Sequence, residues 1–331
     1  MKWPGPYEGG VTQSLISKFK ECPLRFYLWA ALGLEEAGEP EPNLIWGCIC
    51  HVGLEHLIAK PYQRIEFTPE DWREIHEGID EYITSDWPMT PITFAPSVKN
   101  MLTLYDDSYK AEHGKFETEK KFKVPHTTTS GNVVTLKGKA DGIQVEHGNI
   151  LVEHKCKGKI NINQTYLESP LDLQVTVYCH VLGPRTVIYD LIRIPDTQWS
   201  LPPQRQMQRP KNYINSLYED KQWGDFPIFQ KKHLWVQQTT INLTDEIIER
   251  NMAETVDPII DQLCEYWEYV SDSNFDWQNP KHYNKIFYKS PIRHFDAART
   301  QSYKCSYWNY LVGQTDLEDL QPVKSFTPEL D

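Results

Sequence analysis

Two carboxylates and one ammonium group occur close together near the middle of the chain, on Asp141, Glu153 and Lys155. Residues 133–145 and 150–155 have the alternation of two β-strands, and the polar residues between them predict a turn. In the second strand Glu153 and Lys155 project from the same face, and a hairpin places Asp141 beside them. Paired carboxylates are hard oxygen ligands that suit Mg²⁺ or Mn²⁺, and a nearby lysine can orient or help to deprotonate a water. The pattern therefore predicts the site of a metal-dependent phosphodiesterase.

This short pattern has a second interpretation, in which Asp141, Glu153 and Lys155 form the solvated face of an ordinary hairpin. A possible third ligand, His51, lies in a predicted helix of residues 44–59 that begins after an Asn43 cap. The helical period places one set of residues on a single inward face: Leu44, Gly47, His51, Leu54 and Ile58. An inward histidine is either a satisfied core residue or, beside a carboxylate pair, a metal ligand through its neutral ring nitrogen.

Periodicity and helix-start residues predict the elements that position these groups. The predicted helices cover residues 14–34 with a break at Pro23, then start at Thr68, at Ser97, at Ser169–Pro170 (residues 171–182) and after Thr244 (to about 270). The other predicted strands are residues 115–124, 185–194 and 233–243. Gln174 and Tyr178 lie one helical turn apart, so they project from the same side, either as a half-buried helix face or as part of the site.

The size and composition of the chain allow one large domain with a substantial core. It has 331 residues, of which 40% are hydrophobic. We predict an N-terminal helical region with His51 (residues 1–113), a core with the hairpin (114–195), and an insertion with a C-terminal extension (196–331). These three parts are expected to form one compact unit. Residues 195–211, rich in proline and glutamine, are predicted to be a long surface loop.

Charge and cysteine content narrow the classes of partner and compartment. The formal net charge of −12 argues against binding nucleic acid with the whole surface, but it leaves room for a local basic groove. Seven cysteines at irregular spacings do not indicate a secreted disulfide framework. The first residues lack the apolar segment of a signal peptide, and no apolar run is long enough to span a membrane. We expect a cytoplasmic protein of a bacterium or a phage-infected host, without membrane contact.

Five sequence elements recur in an order that is typical of one nuclease group. They are S-x-x-S-x-F-x-x-C-P-x-R-F-Y (residues 14–27), G-x-x-x-H (47–51), G-K-A-D-G-I (138–143), V-E-H-K (152–155) and Q-x-x-x-Y (174–178). Together they resemble the RecB-like branch of the PD-(D/E)XK nuclease superfamily, which includes CRISPR-associated and phage exonucleases. The resemblance covers roughly half the chain, and the combination is far more specific than any single element.

The resemblance implies a fold and a role for each matching residue. The implied fold is an α/β restriction-endonuclease-like core, with a mixed central sheet flanked by helices, an N-terminal helical part and a C-terminal extension. The implied metal ligands are His51, Asp141, Glu153 and the backbone carbonyl of Cys156. The implied catalytic residues are Lys155, Asp141 and Glu153, and the implied substrate-binding residues are Gln174, Tyr178 and Arg25. Ala140 stands where many relatives have the proline of the motif name.

The resemblance also bears on cofactors. Many relatives hold an iron–sulfur cluster with one N-terminal cysteine and three C-terminal ones. Cys22 matches the first, but only Cys305 is present in the C-terminal segment, and Cys264 lies too far upstream. Because a four-thiolate site cannot be assembled from these residues, we expect no iron–sulfur cluster, and we expect Mg²⁺ or Mn²⁺ as the only cofactor.

The expected substrate is DNA, as single strands or ends, and the expected reaction is metal-dependent hydrolysis of its phosphodiester bonds by an exonuclease in recombination, repair, phage or defence processing. Trp29 or Trp308 could stack on bases. A protein partner in a recombination or defence complex is also expected. The alternative is a non-catalytic or weakly catalytic nucleic-acid-binding subunit of a larger complex.

Overall fold

The secondary structure is that of a mixed α/β protein. In a computed structural model of the chain, the described residues are 2–36, 42–59, 67–88, 94–109, 116–146, 149–158, 160–168, 171–194 and 235–276, with 279, 282, 318 and 320–322. The strands are β1 (Val11–Thr12), β2 (Leu34–Glu36), β3 (Phe116–Thr127), β4 (Val133–Gln144), β5 (Ile150–Lys157), β6 (Thr186–Arg193), β7 (Val236–Asn242) and β8 (Leu320–Pro322). The helices are α1 (Gln13–Glu21), α2 (Pro23–Phe26), α3 (Pro42–Ala59), α4 (Pro69–Asp86), α5 (Phe94–Tyr109), α6 (Ile162–Glu168), α7 (Leu173–Leu182), α8 (Asp245–Asn251) and α9 (Asp257–Ser271). Two π-helical turns, Tyr27–Ala31 and Met252–Val256, follow α2 and α8.

The main sheet is mixed and contains a gap on one edge of β4. Strands β4 and β5 are antiparallel, β5 and β6 parallel, and β6 and β7 antiparallel. Strand β3 pairs with β4 on both sides of a break at Glu119 and Asp141, so it occupies one edge of that strand. The other edge must therefore hold both β1, at Leu136 and Lys137, and β5, at Gly142 and Ile143. Residues 138–141 of β4, here called the notch, lie between these two pairings.

Helices cover both faces of the sheet and bury two apolar layers. On one face, residues of β4 and β5 such as Leu136 and Leu151 pack with α1, α7, α8 and α9. On the other face, Val152 and Ile188 pack with residues of α3, α4 and α5. Strand β6 is a nearly continuous apolar run because both of its faces are buried, and β5 begins with three apolar residues for the same reason. The predicted fold class, a mixed central sheet flanked by helices, is confirmed.

The predicted start of α3 is wrong, and its predicted inward face is confirmed at Leu54 and Ile58 but wrong at Leu44. The helix begins at Pro42, so Asn43 lies inside it; proline suits a first turn because its φ is already helical. Leu44 is 59% exposed, whereas the buried residues are Trp46, Ile49, Cys50, Gly53, Leu54, Leu57 and Ile58. This helix has apolar residues on nearly all sides, so periodicity alone did not select a face.

Two other predicted helix starts are also wrong. Helix α5 begins at Phe94 instead of Ser97, and the buried Ser97 hydroxyl accepts a hydrogen bond from Trp46 Nε1 at 3.0 Å. Helix α7 begins at Leu173, because Asp172 is its N-cap and accepts hydrogen bonds from two amides of the first turn. Helix α6 was not predicted at all. The predicted helix start at Ser169–Pro170 lies outside the described residues.

Several local predictions are confirmed. Thr68 and Thr244 are N-caps of α4 and α8, and Pro23 breaks the first helical segment by starting α2. The predicted loop 195–211 lies outside the described residues, and the division into three parts stays a prediction. Across the described parts of the chain, no helix has both the length and the apolar character needed to cross a bilayer.

Candidate active site

Lys155 and Glu153 form a close pair on one face of β5. Lys155 Nζ donates a hydrogen bond to Glu153 Oε1 at 2.6 Å, which confirms that both side chains project from the same face. Burial raises the pKa of Glu153 to about 7, against the lowering effect of Lys155 and with a further raising effect from Asp141. Burial lowers the pKa of Lys155, but Glu153 and Asp172 outweigh it, so that this pKa lies above its usual value. Only 2% of the Glu153 side chain is exposed, so this pair is largely withdrawn from water.

Asp141 lies in the notch and replaces a missing strand contact. The β4–β5 ladder pairs Val152 and Leu151 only, so the strands separate beyond Val152. There the backbone N–H of His154 donates to Asp141 Oδ2 at 2.8 Å. The side chain of Asp141 thereby satisfies an amide that would otherwise lack a partner, and it is fixed next to Glu153.

His51 lies on α3 and approaches Asp141 from the second buried layer. Its Nδ1 is 3.7 Å from Asp141 Oδ1, and 36% of its side chain is exposed. Burial lowers the pKa of His51, but the Asp141 carboxylate and the Cys156 thiol raise it more. The structure thus brings together the predicted trio of His51, Asp141 and Glu153 around the notch.

Cys156 lies beside α3, where a Cβ added to Gly47 would be 3.6 Å from its Cβ. That distance is an ordinary van der Waals contact, so α3 and β5 pack directly against each other at this point. A hydrogen bond with Cys50, and then burial, raise the pKa of the Cys156 thiol well above its usual value, against the opposite effect of His51. The role of the Cys156 backbone carbonyl as a metal ligand stays a prediction.

Gln174 and Tyr178 connect the lysine to the notch. Lys155 Nζ donates to Gln174 Oε1 at 3.0 Å, and Gln174 Nε2 donates to Tyr178 OH at 3.3 Å. Tyr178 OH in turn donates to the backbone carbonyl of Lys139 at 2.8 Å, which is one of the notch residues. These two side chains therefore hold Lys155 in register with β4, and their predicted contact with substrate stays a prediction.

Two residues predicted for substrate contact make their described contacts with other groups. Arg25, on α2, pairs with Glu21 at 3.3 Å and has no hydrogen bond or ion pair with Asp141, Glu153 or Lys155. Trp29 is buried, and the Lys18 ammonium lies 3.5 Å from the centroid of its ring, so Trp29 is not free to stack on a base. Trp308 and Cys305 lie outside the described residues.

The structure adds Asp172 to the site, a residue that sequence reasoning missed. Its Oδ2 lies 3.9 Å from Lys155 Nζ and accepts a hydrogen bond from Tyr189 OH at 3.3 Å. Lys155 is thus surrounded by Glu153, Asp172 and Gln174. An aspartate just before an apolar helical run is a helix-start signal that could have been read from the sequence.

A buried polar cluster lies behind the site and was also missed. His154 projects to the opposite face from Glu153, and its Nδ1 lies 3.3 Å from Asp190 Oδ2. Asp190 also accepts hydrogen bonds from Tyr105 OH at 2.5 Å and from Gln238 Nε2 at 2.8 Å. Two consecutive polar residues in an apolar strand, Glu153 and His154, indicate polar groups on both faces. This cluster fixes the segment of β5 whose amide holds Asp141.

The donor set around the notch fits a divalent cation in its chemistry. Glu153 Oε2 is buried without a hydrogen-bond partner, and a cation would satisfy it. Two carboxylates and an imidazole are ligands that Mg²⁺ or Mn²⁺ can accept. As placed, no three His, Cys, Asp or Glu side chains in the described part of the chain converge closely enough to hold a metal ion. Binding would therefore require these side chains to move closer together.

The comparison with known families agrees with this geometry. A model of the PD-(D/E)XK nuclease superfamily matches residues 11–270. The chain therefore belongs to the PD-(D/E)XK nuclease superfamily, whose members are in general metal-dependent nucleases with nucleic-acid substrates. Its placement in the RecB-like branch stays a prediction.

Similarity to individual proteins is low. A phage-related exonuclease from Haemophilus somnus 129PT is 10% identical, with 65% of this chain and 95% of that chain covered and a TM-score of 0.31. The solved protein SSO0001 is 13% identical, with 81% of this chain and 80% of that chain covered and a TM-score of 0.29. No curated protein matches the chain.

Proposed function

We propose that this protein hydrolyses the phosphodiester bonds of DNA, from single strands or ends, in a reaction that depends on Mg²⁺ or Mn²⁺. The observation that supports the proposal is the Lys155–Glu153 contact of 2.6 Å beside the notch that holds Asp141. A solvated strand face would expose these groups, but Glu153 is buried and one of its oxygens lacks a partner. A buried carboxylate oxygen without a partner lowers the stability of the fold. Costs of this kind are concentrated at functional sites.

In the proposed mechanism, Asp141, Glu153 and His51 would hold the metal ion. When bound, the ion lowers the pKa of a water and neutralises charge on the phosphate. Lys155 extends its ammonium from the same strand face as Glu153, where it orients the attacking water and stabilises negative charge on the phosphate. Gln174 and Tyr178 hold Lys155 and the notch in register, and Asp172 fixes the lysine from the other side. A protein partner in a recombination or defence complex stays a prediction.

The substrate class is tested with labelled polynucleotides. Linear single-stranded DNA, linear duplex DNA, circular single-stranded DNA and RNA of matched length are incubated with the protein and Mn²⁺. We expect shortening of linear DNA and resistance of circular DNA, because an enzyme that acts on ends needs one. Preferred cleavage of RNA would contradict the assignment to DNA. Binding without cleavage of any substrate would favour the alternative, a non-catalytic nucleic-acid-binding subunit.

The role of His51 is tested by replacing it with alanine. As a metal ligand, its loss should weaken Mn²⁺ binding by at least about tenfold, by analogy with the loss of groups that support a metal site. The melting temperature should change little, because the side chain is about one-third exposed (36%). The measurement is calorimetric titration with Mn²⁺, together with thermal unfolding. His56→Ala, an exposed histidine later on α3, is the matched control. Unchanged affinity with a clearly lowered melting temperature would identify His51 as a core residue.

A further inference from the structure

Four lysines face each other in pairs across β3 and β4. In the ladder between these strands, Lys121 is opposite Lys139, and Lys123 is opposite Lys137. Directly opposed residues of an antiparallel pair have Cβ atoms about 5 Å apart and project from the same face. The four ammonium groups therefore lie on one face of the hairpin, in two rungs. We call Lys121, Lys123, Lys137 and Lys139 the lysine ladder.

The lysine ladder leads along β4 to the notch. The buried residues of this stretch are Val134, Leu136, Gly138 and Ala140, and the residues between them are half-buried. The ladder thus projects away from the helices α1 and α7 that cover the buried positions. Lys137, Lys139 and Asp141 occupy alternate positions of the same strand. Lys139 is itself a residue of the notch, so the row formed by Lys137 and Lys139 reaches it.

The arrangement is unfavourable for the protein alone. Like charges that are directly opposed in a sheet destabilise it, and here two such rungs are adjacent. Lys121, Lys123 and Lys137 have no carboxylate partner in the part of the chain that the structure describes. The chain as a whole has 46 acidic and 34 basic residues, so carboxylates to neutralise them are abundant in the sequence. Concentrating unpaired lysines here indicates a strongly anionic ligand.

Lys139 is the exception, and its pairing is itself unusual. Its ammonium forms an ion pair with Glu119. Glu119 has a φ of 52°, and it is the described non-glycine residue with a positive φ. A left-handed backbone at a non-glycine residue is strained, and such strain is concentrated at functional sites. In the pair next to the notch, Lys139 is therefore bound by a carboxylate that a phosphate could replace. In the outer pair, neither Lys123 nor Lys137 has a described carboxylate partner.

We propose that the lysine ladder binds the phosphodiester backbone of the substrate strand and guides it to the notch. This inference rests on the proposed nuclease function. Alternate positions on a strand are about 6.8 Å apart, which is comparable to the spacing of successive phosphates in an extended polynucleotide. A row of that period, reaching the notch at Lys139, suits a polyanion with a regular repeat better than a single small anion. Because every phosphate is alike, the contact gives affinity without sequence preference.

The test is the salt dependence of DNA binding by the double variant Lys121→Gln, Lys123→Gln. These two lysines are exposed on β3 and belong to different rungs. A fluorescein-labelled oligo(dT) single strand is titrated with the full chain in EDTA, which prevents cleavage, at several salt concentrations. Each phosphate contact that is lost should reduce the slope of log K against log[salt] by about 0.7 for a single strand, so a reduction of about 1.4 is expected.

The matched control is the double variant Lys2→Gln, Lys120→Gln, which removes the same charge. Lys120 is on β3, but the residue opposite it on β4 is Ala140, and its ammonium donates a hydrogen bond to Glu117. The slope of log K against log[salt] for this control variant should equal that of the wild type. In Mn²⁺, the lysine-ladder variant should have a raised KM with kcat preserved and a melting temperature no lower than that of the wild type.

The outcomes separate this inference from the proposed function. If the wild type cleaves DNA and the lysine-ladder variant keeps the wild-type salt slope, the proposed role of the lysine ladder is wrong and the nuclease assignment stands. If the control loses as much slope as the ladder variant, the effect is one of net charge, and the inference is again overturned. A wild type that neither binds nor cleaves the oligonucleotide would overturn both.

Discussion

Replacing Glu153 by glutamine is expected to lower the rate of DNA cleavage by at least about a hundredfold. The amide is nearly the same size, but it removes the charge that a divalent ion requires. Its oxygen can still accept a hydrogen bond from Lys155 Nζ, as Glu153 Oε1 does at 2.6 Å, but an NH2 group then replaces Oε2, the oxygen left for the metal ion. The measurement is the initial rate of digestion of end-labelled DNA in Mn²⁺. Circular dichroism establishes that the variant is folded.

The matched control for this change is Glu249→Gln, at an exposed position of α8. It makes the same substitution far along the chain from β5, and its rate should be that of the wild type. A Glu153→Gln protein that is folded and digests DNA at the wild-type rate would show that Glu153 takes no part in the reaction.

Replacing Lys155 by alanine is expected to reduce cleavage by about a hundredfold to a thousandfold while DNA and Mn²⁺ still bind. Removal of a positive charge beside Asp141 and Glu153 leaves nothing to compete with the metal, so Mn²⁺ affinity should be equal or slightly higher. An ordinary exposed ion pair would contribute at most about 1 kcal/mol to stability and nothing to the rate. Cleavage rate and Mn²⁺ affinity are therefore measured on the same protein sample.

The stability of this variant provides an internal check. Glu153 is 2% exposed, and without Lys155 it becomes a buried carboxylate with no cation near it. Breaking such a buried pair costs about 3–5 kcal/mol, so the melting temperature should fall and assays should be run well below it. Mn²⁺ should restore part of the lost stability, because it replaces the missing positive charge. If folded Lys155→Ala cleaves DNA at the wild-type rate, Lys155 and Glu153 form a structural ion pair and Lys155 takes no part in catalysis.

Short-range parts of this site could be predicted from the sequence because strand alternation is local. Glu153 and Lys155 are two residues apart, so their common face follows from the β-strand period alone. The same holds for Gln174 and Tyr178, which are in contact one helical turn apart. Thr68 and Thr244 were predicted as caps because their hydroxyls act on amides within three residues.

The notch could not be predicted, because it depends on pairings between distant segments. It exists since β1, near the N-terminus, and β5 share one edge of β4 and leave residues 138–141 between them. Asp172 was missed because the helix start was assigned to Ser169–Pro170. Leu44 was wrongly assigned to the buried face of α3 because that helix is apolar on most sides, so only the surrounding α4, α5 and sheet determine which residues are buried.

The same limit applies to the lysine ladder. Alternation indicates that Lys121 and Lys123 share a face, and that Lys137 and Lys139 share a face. The register that sets them opposite each other depends on the turn between β3 and β4, where Gly131 has a φ of +91°. A shift of one residue in that register would move one pair to the other face.

The central claim, a metal-dependent nuclease centred on Asp141, Glu153 and Lys155, is tested most directly by one side-by-side digestion. Wild-type protein and Glu153→Gln, purified in parallel, are each incubated with end-labelled linear DNA in Mn²⁺ and in EDTA. The predicted result is product only from the wild type and only in Mn²⁺. Equal digestion by both proteins, or wild-type digestion in EDTA, would contradict the claim.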